Sequence, residues 1–142
     1  MATHMSDQER RNFLGAGTRT AKLATTRKNG APHVAPIWFV LDGDDVVFTT
    51  GENTVKGKTL LRDGRVAICV DDERPPFSYV LIEGTANISR DADDLLLWAT
   101  RLGARYMGGD QAEQFGRRNA VPGELLVRVT PAKTIAEANI AD

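Results

Sequence analysis

Lys56 and Lys58 stand one residue apart in the segment Gly51-Glu52-Asn53-Thr54-Val55-Lys56-Gly57-Lys58, between a strand-like run and a helix-like one. The first N–H groups of a helix have no intrahelical acceptor and carry positive potential, so anions settle there. Two mobile ammonium groups strengthen such a site. Each charge-assisted hydrogen bond to a phosphate or carboxylate is worth about 1.5–3 kcal/mol net. Thr49 and Thr50 bring hydroxyls from the end of the preceding strand. The same residues also read as a solvated basic turn before a surface helix, and spacing alone does not separate the two.

A second group is Pro32-His33-Val34-Ala35-Pro36-Ile37-Trp38-Phe39. Two prolines in one strand leave gaps in the ladder, where a planar ligand reaches main-chain amides and carbonyls. Trp38 or Phe39 then packs on the ligand, or simply on the core. A third is Arg74-Pro75-Pro76-Phe77-Ser78-Tyr79, a stiff loop that presents Phe77 and Tyr79 to a neighbour or serves only as a connection. Arg62 and Arg65 reach an anion or remain solvated on their helix.

Other chemistry is missing. The chain has no P-loop and no glycine-rich dinucleotide fingerprint. His33 is the only histidine inside the expected fold, so neither a metal pair nor a supported Ser-His-Asp triad is available. An enzyme of this composition needs a cofactor to supply the reactivity.

The 142 residues suit one domain, 1–142, with one core, and the 42% apolar and 26% charged fractions are those of a soluble globular chain. A net charge of −1 excludes a global attraction to nucleic acid or membrane, so an anion site has to be built locally. Cys69, alone in an apolar run, is expected reduced and buried, and with it a cytoplasmic location. No stretch approaches a membrane span or a signal-peptide core.

These residues need elements to position them. Ser6-Asp7-Gln8-Glu9 is a capping box opening a helix that Gly15 and Gly17 close. Thr20–Thr26 alternates as a strand, Asn29-Gly30 turns it, and Pro32–Leu41 returns at an edge or bulge. Val46–Thr50 follows. Asn53 caps a helix to about Asp63. Val66–Val70 and Tyr79–Ile88 are strands, the latter bent at Gly84. From Asp91, Leu95, Trp98, Ala99, Leu102 and Tyr106 form a helical stripe that ends at Gly108-Gly109. A short helix over 110–118 and a strand at Leu125–Val129, ended by Pro131, complete the order. Thr134–Ile140 closes the sheet or docks on a partner. Consecutive hairpins make an antiparallel sheet, which so few helices leave to close as a barrel.

The segments TAKLATTRKNGAPHVAPIWF, VVFTTGENTVKGKTLLRDGRVAICV and PFSYVLIEGTA, in this order, resemble the flavin and deazaflavin oxidoreductases of the pyridoxamine 5′-phosphate oxidase-like split-barrel superfamily, most of all the branch using coenzyme F420. The resemblance implies a six-stranded antiparallel split β-barrel, mainly β with flanking helices, that forms a homodimer with cofactor at its interface. It implies that Lys56 and Lys58 hold the cofactor phosphate or tail, with Arg62, Thr49 and Thr50 beside them. His33, Val34, Pro36, Ile37 and Trp38 run along the ring, and Phe77, Ser78 and Tyr79 come from the second subunit. The expected activity is hydride transfer from reduced F420 to an activated double bond of a small molecule, the substrate side lined by Trp38, Phe39 and Phe77. The alternatives are an FMN-dependent oxidase or reductase of the same fold, and a non-catalytic flavin or F420 carrier or sensor. An oligonucleotide-binding barrel lacks the basic aromatic platform it would need. The chain ends at Asp142 without the basic C-terminal extension of pyridoxamine phosphate oxidases, which speaks against that substrate.

Overall fold

A computed structural model describes all residues, 1–142. Eight strands form one antiparallel sheet: β1 (Thr3–His4), β2 (Ala21–Thr26), β3 (Pro32–Ile37), β4 (Val40–Asp42), β5 (Asp45–Gly51), β6 (Arg65–Asp72), β7 (Ser78–Ser89) and β8 (Glu124–Ala138). Four helices flank it: α1 (Asp7–Gly15), α2 (Val55–Arg62), α3 (Ala92–Met107) and α4 (Ala112–Asn119). The strand order is β3-β2-β6-β7-β8-β5-β4, with β1 on β8. The expected six strands are therefore eight, and the hydrogen-bonded path stays open between β3 and β4 instead of closing. The architecture is that of a split barrel all the same. Leu23, Ile68, Val80, Val127 and Phe48, from five strands, meet in one core with Leu14 of α1 and Leu60 of α2.

Local signals explain the elements. The Ser6 hydroxyl accepts from the Glu9 N–H and the Glu9 carboxylate accepts from the Ser6 N–H, both at 3.1 Å, which satisfies two orphan donors of α1. Gly30 takes φ +89° in the turn between β2 and β3. β3 is the edge strand, where Pro32 and Pro36 cost no outer hydrogen bond. β7 bulges between Glu83 and Gly84. A Cβ at Gly84 would sit 2.4 Å from the Thr130 carbonyl oxygen, so the close approach of β8 requires glycine.

Three boundaries and one burial differ from expectation. Thr54, not Asn53, caps α2, its hydroxyl accepting from the Gly57 N–H at 3.0 Å. The strand expected to run to Leu41 breaks at Trp38-Phe39. There the Phe39 N–H donates to the Tyr106 hydroxyl at 3.1 Å, and its carbonyl accepts from Arg105 Nη1 at 2.6 Å. Side chains of α3 thus satisfy main-chain groups that a ladder would otherwise pair. β8 does not end at Pro131, because that residue pairs with Gly84 at the bulge and the strand continues along β7 as far as Glu137 opposite Tyr79. Cys69 is half-buried instead of buried. Burial and the Asp71 charge push its thiol pKa up.

α3 and α4 pack through glycines. A Cβ on Gly116 would fall 2.1 Å from Thr100 Oγ1, and one on Gly103 would lie 2.8 Å from the Phe115 Cβ. No helix is long and apolar enough to cross a membrane.

Candidate functional site

α2 lies across one end of the sheet. Its first turn rests on the end of β5, where a Cβ on Gly57 would lie 2.1 Å from the Gly51 carbonyl oxygen. Its last turn reaches β2, where Arg62 Nη2 donates to the Thr26 carbonyl. Thr26 is the register partner of Pro32, so α2 stands beside the β2–β3 hairpin that carries His33. With Gly57 bonded to the Thr54 hydroxyl and Lys58 to the Thr54 carbonyl, the Val55 and Lys56 amides remain without intrahelical acceptors.

Lys56 is half-buried and Lys58 exposed. Neither is neutralised: Lys22 is the one lysine in an ion pair, with Asp71 at 2.9 Å. Thr49 and Thr50 part company, as neighbours in a strand must. Thr50 points inward, 4% exposed, its hydroxyl 3.2 Å from that of Thr54. Thr49 points outward, on the side of Val47, towards Glu124 at the start of β8. Sequence reasoning missed Glu124. Burial raises its pKa, opposed by the Thr49 hydroxyl and the Lys56 charge.

The β3 residues divide in the same way. Ile37 is buried in the core, so only its main chain is open to a ligand. Phe39, expected beside the substrate, is wholly buried and lines no ligand surface. His33 faces inward opposite Thr25. His33 Nδ1 and Thr25 Oγ1 are both buried without a hydrogen-bond partner, an arrangement that costs stability unless a further group supplies one. Val34 and Pro36 are exposed on the outer face, Val34 at 66%. Trp38 keeps one side open. Its other side stacks on Tyr106 at 4.7 Å, and Phe115 lies tilted at 5.6 Å.

Phe77, Ser78 and Tyr79 lie far from the lysines. β7 pairs Thr85 with Arg65 beside α2, and Tyr79 with Asp71 at the opposite end. Six residues separate Thr85 from Tyr79, about 20 Å at the rise of a strand. Phe77 is 40% exposed, its carbonyl accepting from the Ile140 N–H at 3.1 Å. One chain therefore places Lys56 and Lys58 at the start of α2 and Arg62 at its end beside the β2–β3 hairpin, and carries along the outer face of β3 an apolar stripe of Val34 and Pro36 leading to Trp38.

Uncompensated lysines, free helix amides and an exposed aromatic along an edge strand fit an elongated ligand with a planar ring and an anionic tail. A family model for pyridoxamine 5′-phosphate oxidase matches residues 6–136. The chain belongs to the pyridoxamine 5′-phosphate oxidase family. Solved structures agree with this assignment. A conserved hypothetical protein from Mycobacterium tuberculosis is 26% identical with a TM-score of 0.85, over 95% of this chain and 86% of its own. A protein described as an F420 reductase is 25% identical with a TM-score of 0.67, over 87% of this chain and 94% of its own. A FAD-binding protein from Mesorhizobium loti, 15% identical, shares the fold with a TM-score of 0.70 over 96% of both chains. No curated protein matches. As a pyridoxamine 5′-phosphate oxidase family member, the chain sits in a superfamily of oxidoreductases that bind flavin-type cofactors.

Proposed function

We propose that this protein is an F420-dependent reductase acting on an activated double bond, such as an enone, of a small organic molecule. The observation that carries the reading is the unneutralised Lys56-Lys58 pair at the start of α2, in a chain whose β3 presents an outer apolar stripe ending at the exposed Trp38. The likeness to an F420 reductase over most of both chains supports the deazaflavin among ring-and-tail cofactors.

Lys56 and Lys58 hold the phosphate or tail carboxylates, helped by the free amides of α2 and the Thr49 hydroxyl. Val34 and Pro36 support the ring along β3, whereas His33 turns its buried Nδ1 to the other face of the strand. Trp38 and a partner's Phe77 wall off water. When bound, reduced F420 supplies the hydride. The chain's part is orientation, water exclusion and polarisation by main-chain amides. No side chain has to act as an acid, since solvent can protonate the product.

The site is incomplete in one chain, because Phe77, Ser78 and Tyr79 stand at the wrong end of the sheet. A second copy, packed in reverse on the same outer face, brings its own β7 end to the lysines. That face carries the ingredients. Leu81 and Ile135 are cross-strand neighbours, each 38% exposed, and Ala24, Ala67 and Val34 continue the surface. We take the working unit to be a homodimer with two sites.

The experiment is titration of the purified protein with F420, FMN and FAD, read by quenching of Trp38 emission, followed by turnover on an enone panel. F420 binding tightest, with enone reduction, is the expected result. Tighter FMN binding would favour the FMN oxidase or reductase, and tight F420 binding without turnover a carrier or sensor.

A further inference from the structure

The Phe77 loop is fastened by the far end of the chain. Phe77 takes φ 66°, a left-handed backbone that a bulky side chain rarely adopts and that persists only where its neighbours hold it. Main-chain hydrogen bonds do so from both sides. The Phe77 N–H donates to the Arg74 carbonyl at 2.8 Å, and the Phe77 carbonyl accepts from the Ile140 N–H at 3.1 Å. The Pro76 carbonyl accepts from the Ala141 N–H at 2.9 Å. Both of these donors lie beyond the end of β8. Asn139 turns the chain back towards the loop with φ 55°, a conformation that asparagine tolerates better than most side chains. Its Nδ2 donates to Thr3 Oγ1 of β1 at 3.0 Å, so the turn is itself anchored. Pro75, Pro76 and Phe77 stay exposed all the same. A backbone fastened at this many points, under an aromatic ring that remains 40% exposed, serves to present the ring and not to bury it.

Resting on the reading above, we infer that residues 139–141 form a positioning strap, which sets the Phe77 ring for the ligand site of a second copy. The strap acts through Phe77 and has no contact of its own with the ligand. Released from it, the loop takes the right-handed and extended conformations that phenylalanine prefers, and the ring points elsewhere. The partner's site is then walled only after the loop has been ordered again on binding. That ordering draws on the binding free energy and reads out as lost affinity. Asn139, Ile140 and Ala141 thereby join the site without facing it.

The test removes the donors. Proline has no N–H, so Ile140→Pro deletes the bond to the Phe77 carbonyl and Ala141→Pro the bond to the Pro76 carbonyl. Both positions lie beyond β8, and no ladder bond is lost with them. Dissociation constants for F420 are measured by tryptophan quenching on the wild-type protein, both proline variants, Ile140→Val, Phe77→Ala and the double variant Ile140→Pro, Phe77→Ala. An aromatic contact of ordinary strength predicts that Phe77→Ala weakens F420 binding about two- to tenfold. Each proline variant should weaken it too, and by no more than Phe77→Ala does. Ile140→Val, which keeps the donor, should bind as the wild type does. The double variant decides the route. A ring that is gone cannot be misplaced, so its constant should equal that of Phe77→Ala alone. Losses that multiply in the double variant would overturn the inference, because the strap would then act elsewhere than through Phe77. Proline variants that bind like the wild type beside a weakened Phe77→Ala would overturn it as well. Unchanged affinity in Phe77→Ala would instead take Phe77 out of the site, and no F420 binding by the wild type would sink the whole reading, each a result distinct from the other two.

Discussion

The Trp38 indole lies parallel to the Tyr106 ring, with centroids 4.7 Å apart and planes 7° from alignment. The two residues are far apart in the chain, and the contact sets the one large aromatic that β3 leaves open to solvent. Tyr106 is held in turn by main-chain groups on two segments. Its hydroxyl donates to the Arg19 carbonyl at 2.8 Å and accepts from the Phe39 N–H at 3.1 Å. Arg105 beside it donates to the carbonyls of Leu14 at 2.8 Å, Gly17 at 3.0 Å and Phe39 at 2.6 Å. The C-terminal turn of α3 thus pins the strand break on which Trp38 is mounted.

Tyr106→Phe keeps the stack and removes the hydroxyl. The Phe39 N–H and Arg19 carbonyl lose a partner in a part-buried place, which costs about 1–3 kcal/mol. Urea unfolding should show a lower midpoint with an unchanged slope. Tyr106→Leu, which also loses the stack, should cost more and shift the Trp38 emission.

Gly57→Ala introduces a methyl group 2.1 Å from the Gly51 carbonyl oxygen, so α2 has to move off β5. Overpacking of this kind costs about 1–3 kcal/mol. Gly51→Ala is the control, since its Cβ meets Thr54 Cγ2 at an ordinary 3.5 Å. Thermal melts of the two variants should separate clearly, and equal melting temperatures would contradict the close approach.

The double variant Lys56→Ala, Lys58→Ala should weaken cofactor binding by about 2–4 kcal/mol if both ammonium groups contact the anion. Fold stability should change little, because neither lysine is in an ion pair and Lys56 acts on Glu124 only through its charge. Isothermal titration reads the first quantity and a urea curve the second. Unchanged affinity would remove the lysines from the site.

Glu124 also gives a pH signature. Burial holds its pKa above the ordinary carboxylate value in the folded chain. The folded state therefore binds a proton more readily than the unfolded one, so this residue's contribution falls as pH rises through the window above 4.5 and stays low beyond it. Glu124→Gln should be the more stable protein at neutral pH, with the advantage shrinking as pH falls towards 4. Melting temperatures across that range check the sign.

The local part of this molecule was legible in its sequence. The Ser6–Glu9 box, the Asn29-Gly30 turn and the α3 stripe of Leu95, Trp98, Ala99 and Leu102 all arise from neighbours a few residues apart. The strand break at Trp38-Phe39 was hidden, because residues with good strand propensity are interrupted there by hydrogen bonds from Arg105 and Tyr106. Pro131 looked like a terminator because its pairing with a bulged glycine depends on a different strand. For the site, residue types were informative and orientation was not. Alternation alone tells that Thr49 and Thr50 point apart, yet which one faces the core follows only from what covers each side of β5. Glu124 gave no sequence signal, since an acid at the start of a strand is commonplace until its register opposite Gly51 is known.

The 20 Å or so of β7 between Thr85 and Tyr79 has a genetic consequence. If every site draws its lysines from one chain and its aromatic from the other, two defective proteins can repair each other. A Lys56→Ala, Lys58→Ala chain still has Phe77 to lend, and a Phe77→Ala chain still has both lysines. Unfolded together and refolded at equal concentrations, they form mixed pairs in which one site is wholly wild type and its twin carries all the lesions. Random pairing then restores about a quarter of the normal binding capacity from two inactive preparations. Separately refolded and then combined without exchange, they restore none.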